Sequence, residues 1–199
     1  TIAEGETTGT VELSTGDTVT ITPAATATIT HVAETTVNNA FTWDVENATY
    51  YTKGEDVVGT LSVTPATLTI TTESANKEYD GDPLTAAGSI TGFVNGETAT
   101  FTVTGTITNV GEVPNSYSLV WNGTATESDY TLSKSIGTLK ITTSSKVLKV
   151  ESKSESWTYD GNAHTKYEYT VTYGDDETYT VTIAEGETTG TVELSTGDT

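Results

Sequence analysis

Apolar residues recur at every second position in short runs along this chain: Val19 and Ile21, Leu61 and Val63, Leu68 and Ile70, Phe101 and Val103, Leu139 and Ile141. A longer run, Tyr167, Tyr169, Val171 and Tyr173, is followed by Tyr179, Val181 and Ile183. The positions between are mostly Thr, Ser, Glu or Lys, so each run has one apolar and one wet face, the pattern of a half-buried strand. Turn dipeptides separate the runs: Gly16-Asp17, Asn95-Gly96, Asn122-Gly123 and Gly174-Asp175. Roughly a quarter of the residues are threonine, whose branched Cβ suits a pleated strand and whose hydroxyl tolerates water. No stretch carries helical periodicity. The pattern predicts an all-β chain.

The runs repeat at two levels. Thr1–Thr18, TIAEGETTGTVELSTGDT, returns letter for letter as Thr182–Thr199, an offset of 181 residues. Identity over a polar, tolerant stretch marks one period of a tandem array with a short overlap. Inside that period, an offset of 78 lays Ile29–Trp43 on Ile107–Trp121 and Val58–Thr64 on Ile136–Thr142. An offset of 80 lays Tyr79-Asp80-Gly81 on Tyr159-Asp160-Gly161. The period therefore divides into a complete compact module, 65–143, and a larger one with a 23-residue insertion. The larger module is present as its C-terminal part, 1–64, and as the N-terminal part of the next copy, 144–199. The insertion reads as an added hairpin, Thr10–Leu13 and Val19–Thr22 flanking Ser14–Asp17. Each partial module leaves open β-edges, so two chains placed head to tail are expected to complete each other. The linkers Thr64-Pro65-Ala66 and Thr143-Ser144-Ser145 are short, which restricts bending. The expected architecture is tandem Ig-like β-sandwich modules in an extended rod, with β-grasp-like modules as the alternative.

Lys77-Glu78-Tyr79-Asp80-Gly81, Gly92-Phe93-Val94-Asn95-Gly96-Glu97, Thr108-Asn109-Val110-Gly111 and Gly137-Thr138-Leu139 resemble the YDG/MBG-type repeat modules of bacterial surface adhesins. The resemblance covers the whole compact module. In the larger one it is carried by Tyr159-Asp160-Gly161, the Ile29–Trp43 block and Gly59-Thr60-Leu61, while the Gly-Phe-Val-Asn-Gly element is missing. It implies a bacterial protein, extracellular and attached to the cell surface, built of many such modules.

Charge and composition narrow the chemistry. With 28 acidic residues against 8 lysines, the net charge is −20, which repels nucleic acid and anionic membranes. No apolar stretch is long enough to insert into a bilayer. Without cysteine, arginine or glutamine, and with two isolated histidines, little is available for a triad, a metal site or a phosphate clamp. His31 aligns with Asn109, so its imidazole is not shared between the modules. No enzymatic activity and no cofactor are expected. Calcium at the acidic loops Asp80/Asp82 or Asp175-Asp176-Glu177 is the one alternative, without EF-hand or glycine–aspartate spacing. A lysine–asparagine isopeptide is the one crosslink the composition permits, but Lys140 and Lys149 fall at polar positions of their strands.

Two residue sets stand out. Trp43 and Trp121, equivalent in the two modules, are expected as core residues. The two signatures, Tyr79-Asp80-Gly81 and Tyr159-Asp160-Gly161, are expected as structural turns, where Asp bonds the local backbone and Gly supplies positive φ. Trp157 has no aromatic counterpart in the compact module. With Tyr167, Tyr169 and Tyr173 it forms the candidate ligand surface, suited to stacking on sugar rings. The leading expectation is a stalk that projects a distal binding region and whose partners are neighbouring repeats. The alternatives are repeats that bind host or matrix glycans, or that associate with like chains in a biofilm fibre.

Overall fold

A computed structural model describes residues 2–3 and 6–199 of the chain. Thr1, Glu4 and Gly5, in the first copy of the duplicated stretch, lie outside the described residues. The chain is all-β, and among the described residues no sheet closes into a barrel. Among the described residues the only helical pieces are single 3-10 turns. Two compact units are distinguished. One comprises Thr1–Leu68, Gly92–Ala99 and Trp121–Ser133, and the other Thr69–Thr91, Thr100–Val120 and Lys134–Thr199.

In the first unit, β1 (Gly9–Glu12), β2 (Thr18–Pro23) and β4 (Phe41–Val45) form an antiparallel sheet in the order β1-β2-β4. Its register sets Val11 opposite Val19 and Val19 opposite Val45, with Ile21 opposite Trp43 and Pro23 opposite Phe41. Because side chains alternate, this puts the apolar residues on one face and Thr10, Thr20, Thr22, Thr42 and Asp44 on the other. The hairpin expected from the 23-residue insertion is β1 and β2. A separate antiparallel pair joins β3 (Thr36–Asn39) to β5 (Gly59–Ser62).

The central stretch supplies β6 (Ala66–Thr72), β7 (Ala75–Glu78), β8 (Gly88–Thr91), β9 (Thr98–Val103), β10 (Gly111–Pro114), β11 (Tyr117–Asn122), β12 (Tyr130–Ser135) and β13 (Thr138–Thr142). They form sheets β12-β6-β8 and β10-β13-β7 and the pair β11-β9. Period-two alternation in β6 and β13 turns Leu68, Ile70, Leu139 and Ile141 fully inward. β13 runs parallel to β7 and antiparallel to β10.

In the second unit, Asn115, at the turn between β10 and β11, is the one fully buried polar side chain among the described residues. Its amide nitrogen donates to the carbonyls of Glu73 (2.9 Å), Ala86 and Ala87 (both 3.3 Å), and so holds two chain connections against a third. Its Oδ1 has no partner.

Also in the second unit, β14 (Leu148–Ser152), β15 (Glu168–Tyr173) and β16 (Glu177–Thr182) form an antiparallel sheet. Leu148, Val150, Tyr169, Val171, Tyr173, Tyr179 and Val181 share one face; Lys149, Glu151, Thr170, Thr172 and Thr180 share the other. The apolar face is only partly covered. Val171 and Tyr173 are buried, whereas Val150 is 62% exposed.

Candidate functional site

In the first unit, the linker Thr64-Pro65-Ala66 borders a groove shared with His31, Val32, Asn95, Glu97 and Asp129. Asp129 ends the 3-10 turn Glu127–Asp129. Its Oδ2 accepts from the Thr126 hydroxyl (2.6 Å) and from His31 Nδ1 (2.7 Å), and its Oδ1 accepts the Val32 amide (2.8 Å). His31 Nδ1 therefore carries the proton. The Thr126 hydroxyl, then the His31 ring and the Val32 amide, hold the Asp129 carboxyl at about 2. The same carboxylate pushes His31 up. Glu34 completes the arrangement by accepting the amides of Thr30 and His31, each at 2.6 Å. Sequence comparison set His31 against Asn109 and gave it no role, and its partner lies 98 positions away.

In the second unit, the linker Thr143-Ser144-Ser145 is tied on both sides. Glu78 accepts from the amide (2.9 Å) and hydroxyl (2.6 Å) of Ser145, and the hydroxyl leads in drawing its carboxyl down. The Tyr173 hydroxyl donates to Ser144 Oγ at 2.8 Å. Tyr79 extends the strand by donating its amide to the Thr142 carbonyl, and its phenol donates to Asp198 Oδ2 at 2.9 Å. Asp198 in turn pushes the Tyr79 phenol up. Asp80 closes the turn by accepting the Asp82 amide and pairing with Lys77. Gly81 has φ +86, and a Cβ there would run into the carbonyl oxygen of Thr196. This signature is thus a turn and also a contact surface for the second copy of the duplicated stretch. That copy is fixed from its other side by Glu177, which accepts the Ser195 hydroxyl and amide and is held at about 2, first by that hydroxyl.

The other signature makes the turn without the contact. Asp160 accepts the Asn162 amide at 2.9 Å, Gly161 has φ +83 with open space beside it, and Tyr159 is 94% exposed. Trp157, 46% exposed, stacks on His164 with ring centres 4.9 Å apart, and His164 Nε2 lies 2.9 Å from Asp160.

The candidate ligand surface divides. Trp157 and Tyr167 are exposed; Tyr169 is half-buried on the apolar face of β15. Tyr173 is only 7% exposed and is engaged with Ser144, which corrects its placement among ligand-facing residues. Alternation explains the split: the four tyrosine and valine positions of this run share a face, and its far end is packed.

The two equivalent tryptophans have different surroundings, and neither is fully buried. Trp121 stacks on Tyr130 (5.4 Å) with Phe93 edge-on at 6.2 Å, while the Tyr130 hydroxyl donates to Glu97. Trp43 lines an open groove with Val19, Ile21 and Phe41; its indole N–H donates to Asp56 (2.6 Å) and Lys53 lies over its ring. For the acidic loops, the Asp80 carboxylate is already occupied by Lys77 and Asp82. Among the described residues no group of three or more His, Cys, Asp or Glu is arranged to hold a metal ion. Among them, too, no helix is long and apolar enough to cross a membrane.

Residues 68–140 match the family model of the MBG domain (YGX type). The match begins within β6 and ends within β13, so it takes in the buried core strands, the Asn115 contacts and the Tyr79-Asp80-Gly81 turn. No curated protein and no solved structure matches the chain.

Proposed function

We propose, from the MBG-type module at residues 68–140, that the chain is a spacer: a period of a tandem β-array in a long, extracellular, cell-surface adhesin of bacterial type that holds a distal binding region away from the cell. The observation that carries this reading is the set of side-chain bonds at the linkers, beside the first and directly to the second. The first has the His31–Asp129 bond beside it, and the second has the Glu78–Ser145 and Tyr173–Ser144 bonds. A flexible string of domains needs no such bonds, because free linkers let domains move independently. The 18-residue identity at an offset of 181 supports the array, since stacked, near-identical units give a period of that length. The acidic surface keeps parallel copies apart. Small-angle scattering on the chain at low concentration tests the reading. A rod of roughly 80 Å is expected, from strands of about 3.3 Å per residue laid end to end with their loops. A compact radius of gyration rules it out.

A second reading, glycan or matrix binding, is favoured by one observation. Trp157 is braced flat by His164, and Tyr159 and Tyr167 stand exposed in the same part of the chain. A braced indole gives a ring face that apolar sugar faces stack upon. Glycan-array binding lost in Trp157→Ala would favour this reading; no binding at all would leave the spacer alone.

A further inference from the structure

The turn in the duplicated stretch is held by different residues in each copy. In the first copy Asp17 accepts from its own module. The Tyr51 phenol donates to Oδ2 at 2.5 Å, and the Asn47 side-chain amide donates to Oδ1 at 2.6 Å. The Thr15 hydroxyl meets the Tyr51 oxygen at 2.5 Å. In the second copy the equivalent Asp198 accepts from the MBG-type module instead. The Tyr79 phenol reaches its Oδ2 at 2.9 Å, and the Thr196 hydroxyl donates to the same oxygen at 2.9 Å. The turn beneath is the same in both. Leu13 bonds Asp17 at 2.8 Å and Leu194 bonds Asp198 at 2.9 Å, while Gly16 to Leu13 and Gly197 to Leu194 are both 2.9 Å. With identical letters and identical geometry, the surface that receives Tyr79 in one copy is the surface that receives Tyr51 and Asn47 in the other.

We propose that, in the array, the aspartate of each duplicated turn accepts from two modules at once: the Tyr79 phenol of the MBG-type module before it, and the Tyr51 phenol and Asn47 amide of its own module. The interaction surface is the turn at residues 14–17, and its partner is the Tyr-Asp-Gly turn of the neighbouring module in the same chain. This rests on the array reading above and gives it a specific joint.

Three observations support the sharing. The partners take different atoms of the turn: Gly81 lies against the backbone carbonyl of Thr196, whereas Tyr51 meets the hydroxyl of the equivalent Thr15. Only the carboxylate is common to both. Its capacity suffices, since an ionised carboxyl offers about four acceptor sites, and Tyr79, Tyr51 and Asn47 fill three. The threonine hydroxyl, on the carboxylate in the second copy, has its alternative place on the Tyr51 oxygen, as the first copy shows. The third observation is the serine of the turn. Glu177, at the start of β16, holds Ser195 by its amide and hydroxyl, so this bond competes with neither tyrosine. Each phenol is also kept as a donor by its carboxylate: Asp198 pushes Tyr79 up and Asp17 pushes Tyr51 up.

The test lengthens the full chain after Thr199 by a repeat of residues 19–64, which brings a second Tyr51 and Asn47 within reach of Asp198. An NMR titration of the tyrosine ring carbons then follows Tyr79 and the added Tyr51. Both should titrate above the free phenol value of about 10. Asp198→Asn should bring both down together, whereas Asp17→Asn should release only the original Tyr51. If Tyr79 falls to its free value while Asp198 is intact, the two phenols exclude one another and the proposal is overturned. An added Tyr51 that titrates freely overturns it too. Hydrogen exchange at the amides of Leu194 and Gly197 gives a second measurement at neutral pH. In the lengthened chain, Tyr79→Phe and the added copy's Tyr51→Phe should each speed it about 5-fold, as loss of one net hydrogen bond does. No change from either substitution refutes the sharing. A compact scattering profile with both phenols bound to Asp198 would remove the spacer reading and leave the shared carboxylate standing.

Discussion

Truncating Asn115 to alanine is expected to loosen the MBG-type module far more than its place in a turn suggests. The side chain is fully buried, and its amide nitrogen has two hydrogens for three carbonyls. One bond goes to Glu73 at 2.9 Å; the other is shared between Ala86 and Ala87 at 3.3 Å. In Asn115→Ala the Ala87 carbonyl keeps the Glu73 amide at 2.8 Å, but the Glu73 and Ala86 carbonyls lose this donor. A buried acceptor without a partner costs about 1–3 kcal/mol. The loss is partly offset, because the unpartnered Oδ1 of Asn115 is removed as well. The balance is a net destabilisation of about 2 kcal/mol, with two acceptors lost against one unsatisfied oxygen removed. A chain with more than one cooperative unit has no single unfolding free energy, so the measurement should be local. Native-state hydrogen exchange at the amides of Leu139 and Ile141 should lose roughly 30-fold in protection, 1.36 kcal/mol being one decade. Asn115→Asp should be worse, since it turns a second oxygen toward three carbonyls. If Asn115→Ala changes protection by less than about 5-fold, the amide contacts do not hold these connections together and the reasoning fails.

Other expectations follow from the linkers and the aromatics. His31 is raised by Asp129, so its share of the clasp is fully present below its free value of about 6.5 and is lost as pH rises through the raised one. Asp129 is depressed to about 2, so its share is present above about 3.9 and is lost as pH falls toward 2. The clasp is therefore complete between about pH 4 and 6.5. An NMR titration of the His31 ring should move down to its free value in Asp129→Asn; an unmoved titration removes the clasp. Gly81→Ala should destabilise more than Gly161→Ala. Both pay for a positive φ, roughly 1–2 kcal/mol, but only at Gly81 does a Cβ meet a backbone oxygen. Equal melting shifts would mean the Thr196 contact is not made. Trp121→Ala should cost about 3 kcal/mol, the low end for large aromatics because the ring is only partly buried, and Trp43→Ala clearly less, because its groove is open. Thermal melts that rank the two the other way would contradict the packing.

Much of the strand content was legible because alternation is a local signal. β2, β6, β9, β13, β15 and β16 each lie on a run of apolar residues two apart, and the Asn95-Gly96 turn shows the positive φ at both residues that its sequence demands. Pairing was not legible. Nothing in the alternation of Ala75–Glu78 says that it runs parallel to Thr138–Thr142. The clasps were invisible for a related reason. His31 with Asp129 and Tyr79 with Asp198 join residues 98 and 119 positions apart, and a single polar contact leaves no periodic trace. Asn115 sits in Pro114-Asn115-Ser116, which reads as a solvent-exposed turn; only the three carbonyls around it make burial the better state. The tyrosine run shows the opposite error. Its pattern locates the strand, but exposure depends on what covers each end, and Tyr173, at the packed end, is core.

The duplicated stretch separates what these residues encode from what their neighbours supply. The turn bonds Leu13 to Asp17 and Gly16 to Leu13 recur as Leu194 to Asp198 and Gly197 to Leu194, each within 0.1 Å. The bond from Glu6 to Ala3 recurs from Glu187 to Ala184. The glycine between keeps its positive φ, +88 in one copy and +81 in the other. The strand does not recur. Since the letters are identical, sequence cannot be the cause of the difference; the neighbouring strand is. Turns here close over four or five residues and carry their own bonds, whereas a strand leaves its amides and carbonyls unpaired until a second strand arrives. Repeats built this way have a punctuation that is set locally and pairing that is set by the next element along.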